Sequence, residues 1–262
     1  MRTKPFNRFP LSPEKIQAYV SANTRAVRKG GHPLADWFLN RIRSVAQRLS
    51  WEQAYALGGT IGHWMAALRV RWSVARTNLD IVYGQRMDET EKRRIFRASW
   101  VNFGRVIVNH LRLPYMPPEF WATRVRFPRE NSLKDLYNDG RGVIMIAGHL
   151  GMMDLSGGGV GRRGYPVSAV AKPMRSPSID RLVVGARTEM NMCTISHRNS
   201  ARRILKGLRN GEAVIFIIDQ NMKRSQGIFV DWFGTPASVS PAAAVFARQT
   251  RAPVVAGFLE QT

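Results

Sequence analysis

A histidine between two glycines is the first feature of the sequence with an evident chemical use. His149 stands in the run AGHLGMMD (147–154), directly after an apolar stretch, and Asp154 follows five residues later. Gly148 and Gly151 permit a tight turn and the close approach of a substrate. We predict that Asp154 orients one imidazole nitrogen while the other acts as a base on a substrate hydroxyl. A structural histidine is the alternative, because His-x4-Asp is a common pattern by chance.

A second polar group follows another apolar run. Asp219, Gln220 and Asn221 come directly after residues 213–218, which have the composition of a buried strand. Polar side chains at the end of such a strand belong at the edge of the sheet where parallel α/β folds bind ligands. We therefore expect them beside His149. An ordinary turn is the alternative, since Asp and Asn favour turns.

An apolar segment with turn residues at its end lies further along the chain. It covers residues 227–237 and includes Phe233. We expect an irregular loop there, which either lines a pocket for a fatty chain or simply covers the core.

The elements that position these residues alternate between strands and helices from about residue 131. The expected strands are 142–147, 167–171, 192–196, 213–218 and 254–259, and the expected helices are 178–189 and 200–209. Such alternation is typical of an α/β fold with a mostly parallel central sheet flanked by helices. Its ligand sites lie beyond the carboxyl ends of the strands.

The N-terminal region, to about residue 118, is expected to be mostly helical. Residues 33–49 have apolar side chains at three-to-four spacing, Ser50 and Gln53 form a capping-box pattern, and Asp88 precedes an acidic helix start. Arginines lie beside tryptophans and phenylalanines on these amphipathic segments, which suits a membrane interface. The alternative is a set of helices packed on the core with solvated basic faces.

The charge implies an anionic partner. Forty Lys and Arg against 18 Asp and Glu give +22 and a pI of about 11.4, which suits nucleic acid, an acidic membrane or a phosphorylated substrate. A nucleic-acid-binding protein is the competing class, but the sequence contains no zinc-finger spacing, no aromatic RNA-binding strand and no GK[ST] loop. The five histidines and single cysteine show no metal-ligand spacing.

The compartment is indicated by three observations. Cys193 is the single cysteine, so no intrachain disulfide is possible, and a core position suits it better than a nucleophile's role. No stretch has the roughly 20 uninterrupted apolar residues that a transmembrane helix needs. Residues 1–13 contain no apolar core of a signal peptide. We expect a soluble or peripheral cytoplasmic protein.

Taken in order, the motifs resemble one known family. From about Arg76 to Thr262 the chain is similar to the bacterial lipid A biosynthesis acyltransferases, which have a glycerolipid-acyltransferase-like fold. The matching motifs are Gly148-His149-x4-Asp154, Lys172-Pro173, Asp219-Gln220-Asn221 and Phe233-Gly234-Thr235-Pro236-Ala237. The chain departs from the family at Lys172, where arginine is frequent, and at Trp232, where phenylalanine is usual.

The resemblance implies an O-acyltransferase without a cofactor. His149 would be the general base, with Asp154 as its partner, and the acyl group would pass from acyl carrier protein or coenzyme A to a glycolipid hydroxyl. The expected contacts with substrate phosphates are Lys172, Arg175, Arg187, Lys223 and Arg224. The expected location is the cytoplasmic face of the bacterial inner membrane, on an anionic lipid surface. A non-catalytic, lipid-binding relative is the alternative.

The resemblance also suggests a division of the chain. We expect a helical, membrane-facing region over residues 1–118 and an acyltransferase core over residues 119–262. We expect the family's hydrophobic N-terminal anchor to be weak or missing here. The chain ends at Thr262, just after an expected strand, so we expect the family's C-terminal segment to be missing as well.

Overall fold

A computed structural model describes residues 9–27, 30–127 and 130–259. Its strands are β1 (Val143–Ala147), β2 (Val167–Ala171), β3 (Met192–Ser196), β4 (Ala213–Ile217), β5 (Ile228–Trp232), β6 (Thr235–Val239) and β7 (Val254–Ala256). Five of them form a wholly parallel sheet in the order β3-β2-β4-β1-β7. The predicted fold class is confirmed, with strand boundaries within a few residues of those expected.

Helices flank this sheet and make up most of the N-terminal region. They are α1 (Pro13–Asn23), α2 (Pro33–Arg48), α3 (Trp51–Ala67), α4 (Trp72–Tyr83), α5 (Glu89–His110), α6 (Pro118–Arg124), α7 (Glu130–Asn138), α8 (Met153–Arg162), α9 (Pro177–Glu189), α10 (Ala201–Arg209) and α11 (Ala242–Thr250). The capping box at Ser50 and Gln53 is confirmed, and Asp88 caps α5 by accepting the Glu91 N–H. In the described ranges, none of the helices combines the length and apolarity that crossing a bilayer requires.

Both faces of the sheet are buried, which explains the continuous apolar runs of its strands. Alternate residues of β4 enter different clusters: Ala213 and Ile215 pack on one face, Val214 and Phe216 on the other. Helix α8 covers the first face, and α10 and α11 cover the second. The expected core position of Cys193 is confirmed, and burial raises the pKa of its thiol to about 12.

The segment over residues 227–237 is a β-hairpin and not the irregular loop that we expected. β5 and β6 pair antiparallel and are joined by the two residues Phe233 and Gly234, with φ of 54° and 76°. Positive φ at both central residues is typical of the two-residue turns that match strand twist. Gly234 in the sequence indicated a turn. Phe233 before it did not, because residues other than glycine seldom have positive φ.

Helices α3 and α5 pack closely because glycines form their contact. A Cβ on Gly104 would lie 2.2 Å from the Gly58 carbonyl oxygen, and one on Gly62 would lie 2.2 Å from the Trp100 carbonyl oxygen. Neither position has room for a methyl group. The backbones therefore approach to a distance that only glycine permits.

Replacing Gly104 by alanine should lower the free energy of unfolding by about 1–3 kcal/mol, because the two helices must move apart. Urea denaturation with a circular-dichroism readout measures this change. Gly185→Ala in α9 is the matched control, since its Cβ would meet nothing within 4 Å. The control should be neutral or slightly stabilising. Equal midpoints for the two variants would contradict the close-packing argument.

Candidate functional site

The loop between β1 and α8 carries His149, and the loop after β4 carries Asp219. β1 and β4 are neighbouring parallel strands in which Ala147 pairs with Ile217. His149 lies two positions beyond Ala147, and Asp219 lies two positions beyond Ile217. The register of the two strands therefore places His149 and Asp219 side by side at the carboxyl edge of the sheet. Gly151, with φ of 57°, turns the first loop into α8.

Asp219 holds His149 through two hydrogen bonds. The His149 ring Nδ1 lies 2.7 Å from Asp219 Oδ1, and the His149 backbone N–H donates to Asp219 Oδ2 over 2.6 Å. Gly148 makes room for this approach, because a Cβ there would lie 3.1 Å from Asp219 Oδ2. The imidazole is thus fixed in orientation by one carboxylate.

The contacts of the ring also determine its tautomer. An ionised carboxylate only accepts hydrogen bonds, so Nδ1 of His149 carries the proton toward Asp219. The lone pair then lies on Nε2, which is 3.3 Å from the side-chain amide nitrogen of Gln220. The Gln220 amide N–H donates to that lone pair, so Nε2 becomes the proton acceptor once a bound hydroxyl takes the place of Gln220.

The ionisation of Asp219 suits this role. Partial burial of the carboxyl group would raise its pKa, but the hydrogen bonds from the His149 ring and backbone outweigh that effect. The net result is a lowered pKa, so Asp219 stays a carboxylate at neutral pH. A permanent negative charge beside Nδ1 stabilises the imidazolium that forms when Nε2 takes a proton.

The expected hydrogen bond between Asp154 and His149 is not what the structure shows, because Asp219 holds the ring. Asp154 is buried in the first turn of α8, where Oδ1 accepts from Nε of Arg187 over 3.0 Å and lies 3.0 Å from a terminal nitrogen of the same guanidinium. Its Oδ2 lies 3.4 Å from Nδ1 of His110. The start of α8 turns this carboxylate inward, away from the sheet edge.

His110 completes a largely buried group with Asp154 and Arg187. Burial lowers the pKa of His110 and outweighs the opposing effect of the Asp154 carboxylate. The ring is therefore neutral at neutral pH, with Nδ1 near the Asp154 carboxylate. Because the guanidinium of Arg187 is engaged with Asp154, the phosphate contact expected of Arg187 would have to compete with that ion pair.

His149 lines a cavity of about 710 Å³ at the carboxyl edge of the sheet. Lys172, Arg187 and Gln220 lie on the same cavity, which places three further expected site residues with the histidine. Asp180 holds the Lys172 loop by accepting the Met174 backbone N–H over 2.8 Å. The apolar part of the lining includes Val170, Val183, Ile204, Phe216, Ile218 and Phe246.

Other expected site residues lie elsewhere. Asn221 accepts the Ser238 backbone N–H over 3.0 Å and so ties the Asp219 loop to β6. Arg175 is exposed and does not line the histidine cavity. Phe233 lies at the hairpin turn, 59% exposed, against the end of α4. The position of Phe233 reflects the hairpin, whose turn lies away from the histidine cavity.

Two residues that line the cavity, Arg25 and His197, were not predicted from the sequence. Arg25, just after α1, binds Asp180 through two hydrogen bonds of 2.8 and 2.7 Å, and His197 follows β3. A signal for His197 existed, because it stands at a strand end like His149. Arg25 had no such signal, because it is distant in sequence from the sheet.

Among the described residues, no three His, Cys, Asp or Glu side chains are grouped to hold a metal.

Sequence comparison finds relatives that share a family description. The chain is 24% identical over 225 residues to a lipid A biosynthesis acyltransferase of Haemophilus influenzae, covering 86% of this chain and 70% of that protein. It is 29% identical over 170 residues to the lipid A biosynthesis palmitoleoyltransferase of Escherichia coli, covering 63% of this chain and 53% of that protein. The matched region thus spans about half of the second relative.

The family itself is shown by a match over most of the chain. The sequence profile described as bacterial lipid A biosynthesis acyltransferase matches residues 27–260. This range contains the loops of His149 and Asp219 and every strand of the sheet. The resemblance drawn from the motifs is confirmed, and the chain belongs to the bacterial lipid A biosynthesis acyltransferase family.

Proposed function

We propose that this protein is an O-acyltransferase that moves a fatty acyl chain from a thioester to a hydroxyl of a lipid A precursor or a similar glycolipid. The observation that carries the proposal is the pair formed by His149 and Asp219. A histidine that is held by a carboxylate and lines a cavity is suited to be the base of an acyl-transfer site whose nucleophile belongs to the substrate.

The proposed reaction is a direct transfer. Nε2 of His149 takes the proton of the acceptor hydroxyl while that oxygen forms a bond to the thioester carbonyl carbon. The carbon–sulfur bond then breaks, and the leaving thiolate takes the proton back from the imidazolium. The products are an ester and a free thiol, and Asp219 stabilises the transient positive charge on the ring.

The lining of the cavity suits both the thioester group and the hydrocarbon chain of the acyl donor. Lys172 lies on the same cavity as His149, where its ammonium is suited to the negative charge that develops on the thioester oxygen. The apolar side chains of the lining are suited to the hydrocarbon chain. They are Val170, Val183, Ile204, Phe216, Ile218 and Phe246. Acyl carrier protein or coenzyme A would present the thioester, and the net charge of +22 favours either acidic partner.

The surface of α2 supports a location on an anionic membrane. Its large apolar side chains are unusually exposed, with Trp37 at 59%, Phe38 at 58% and Val45 at 58%. Arg41 lies over the Trp37 ring at 5.5 Å. A helix with exposed aromatic side chains beside arginine is typical of an interfacial segment, with aromatic rings at headgroup depth.

The test is acyl transfer from labelled acyl-carrier-protein thioester and from acyl-coenzyme A to a panel of glycolipid acceptors. We expect a labelled ester with at least one donor and one phosphorylated disaccharide-lipid acceptor. A parallel reaction without acceptor measures thioester hydrolysis. Hydrolysis without transfer would contradict the proposed acceptor, and binding of anionic vesicles with neither reaction would indicate the non-catalytic alternative.

A further inference from the structure

A second cavity lies among α3, α4 and α5, away from the histidine site. It has a volume of about 480 Å³ and shares no lining residue with the cavity of His149. Its wall combines three arginines with three aromatic rings: Arg69, Arg93, Arg97, Trp64, Trp72 and Phe96. The proposed reaction uses none of these side chains.

The cavity carries an unbalanced positive charge. None of the described residues that line it has a carboxylate. The acidic side chains nearest in sequence on α4 and α5 are paired with cations outside the cavity: Glu89 with Arg76, Glu91 with Arg94, and Asp80 with Lys92. Three guanidinium groups at one concave surface favour an anionic ligand, and their planar donors match phosphate oxygens.

The aromatic rings hold part of this wall in place. The Arg93 guanidinium lies 5.4 Å from the centre of the Trp72 ring, and Trp72 packs edge-on against Phe96 at 5.0 Å. Phe96 is itself buried in the helical region. A ligand would therefore meet a formed surface and would not need to order it, which lowers the entropy cost of binding.

The turn between α3 and α4 has an uncommon backbone. Arg69 and Arg71 have φ of 53° and 61°, in the left-handed region that residues with a Cβ seldom occupy. Trp100 of α5 holds the turn by donating its indole N–H to the Val70 carbonyl over 2.9 Å. Backbone strain of this kind persists where surrounding contacts impose it, often at ligand sites.

We propose that this cavity binds the phosphate of an anionic membrane phospholipid. Trp64 and Leu68, beside the cavity, are 68% and 71% exposed, which suits insertion among acyl chains while the arginines meet the headgroup. The proposal extends the membrane location proposed above, but it does not depend on chemistry at His149. Binding at this site would orient the protein on the bilayer.

The test compares two variants of equal charge loss. Arg93→Gln/Arg97→Gln removes two cations from the cavity, and Arg202→Gln/Lys206→Gln removes two exposed cations from α10. We expect the cavity variant to bind phosphatidylglycerol vesicles roughly 30-fold more weakly than wild type, at about fivefold per charge, and the α10 variant to lose less than about fivefold. Phosphatidylcholine vesicles give the charge-independent background.

Soluble probes separate the headgroup from other sources of phosphate. Dihexanoyl-phosphatidylglycerol below its micelle concentration should bind wild type and the α10 variant saturably, and the cavity variant much more weakly. Inorganic phosphate should compete only at high concentration, because it lacks the apolar contacts.

Equal vesicle affinities for the two variants would overturn the proposal. So would a cavity variant that keeps vesicle affinity but shows a raised KM for the glycolipid acceptor in detergent micelles, because the site would then bind acceptor. Matching melting temperatures confirm that both variants are folded. A failure of acyl transfer in wild type would affect the proposed function alone.

Discussion

Replacing His149 by glutamine should lower kcat for acyl transfer by at least roughly 10²-fold, because an amide cannot accept the hydroxyl proton. Glutamine is close in length to histidine, and the hydrogen bond from the backbone N–H of residue 149 to Asp219 does not depend on the side chain. The loss should therefore appear without unfolding. Initial rates under saturating donor and acceptor measure the effect, with the melting temperature recorded beside them.

His32→Gln is the matched control for that variant, because His32 is exposed and precedes α2, distant in sequence from the sheet. It should retain the wild-type rate. Asp219→Asn should also slow transfer, by about 10²–10⁴-fold, because an amide at that position favours the wrong tautomer of the imidazole. A His149→Gln protein as fast as wild type would refute the base, whatever the family relationship.

Replacing Asp154 by alanine should lower the free energy of unfolding by about 3–5 kcal/mol, because it leaves the Arg187 guanidinium buried without its partner. The side chains of Asp154 and Arg187 are 10% and 7% exposed, so water replaces the lost ion pair only in part. His110 would also lose the carboxylate that lies 3.4 Å from its Nδ1. Urea denaturation measures the change.

Asp139→Ala is the control for this second variant, since Asp139 pairs with Arg141 at the surface. Removing an exposed pair should change stability by less than about 1 kcal/mol. If Asp154→Ala keeps wild-type stability but loses kcat, the residue acts in the reaction and not in the fold. If Asp154→Ala keeps the wild-type kcat but is less stable, the carboxylate of Asp154 stabilises the core and has no part in the reaction.

The sheet was predictable because its strands are buried on both faces. β2 and β3 have the bounds expected from their apolar runs, since composition alone marks a strand that contacts protein on each side. The hairpin was not predictable in the same way. Its strands are as long as β1 to β4 but largely exposed, and Asp231 and Pro236 interrupt their apolar residues.

The position of His149 was likewise available from the sequence. A strand, two glycines and a histidine are all local, and the chain alone predicts that the ring lies at the carboxyl edge of the sheet. The motifs also indicated the family, which the match over residues 27–260 confirmed. The sequence was sufficient to predict the position of His149 and the family, because both depend on residues that are close together in the chain.

The partner of His149 depended on tertiary structure. Asp154 is near in sequence, but the start of α8 turns it toward Arg187 and His110. Asp219 is 70 residues away, and it reaches the ring because β4 pairs directly with β1. The sequence placed His149 and Asp219 at the same edge of the sheet. Only the strand order, which is a property of the packed sheet, made Asp219 and not Asp154 the partner of the ring.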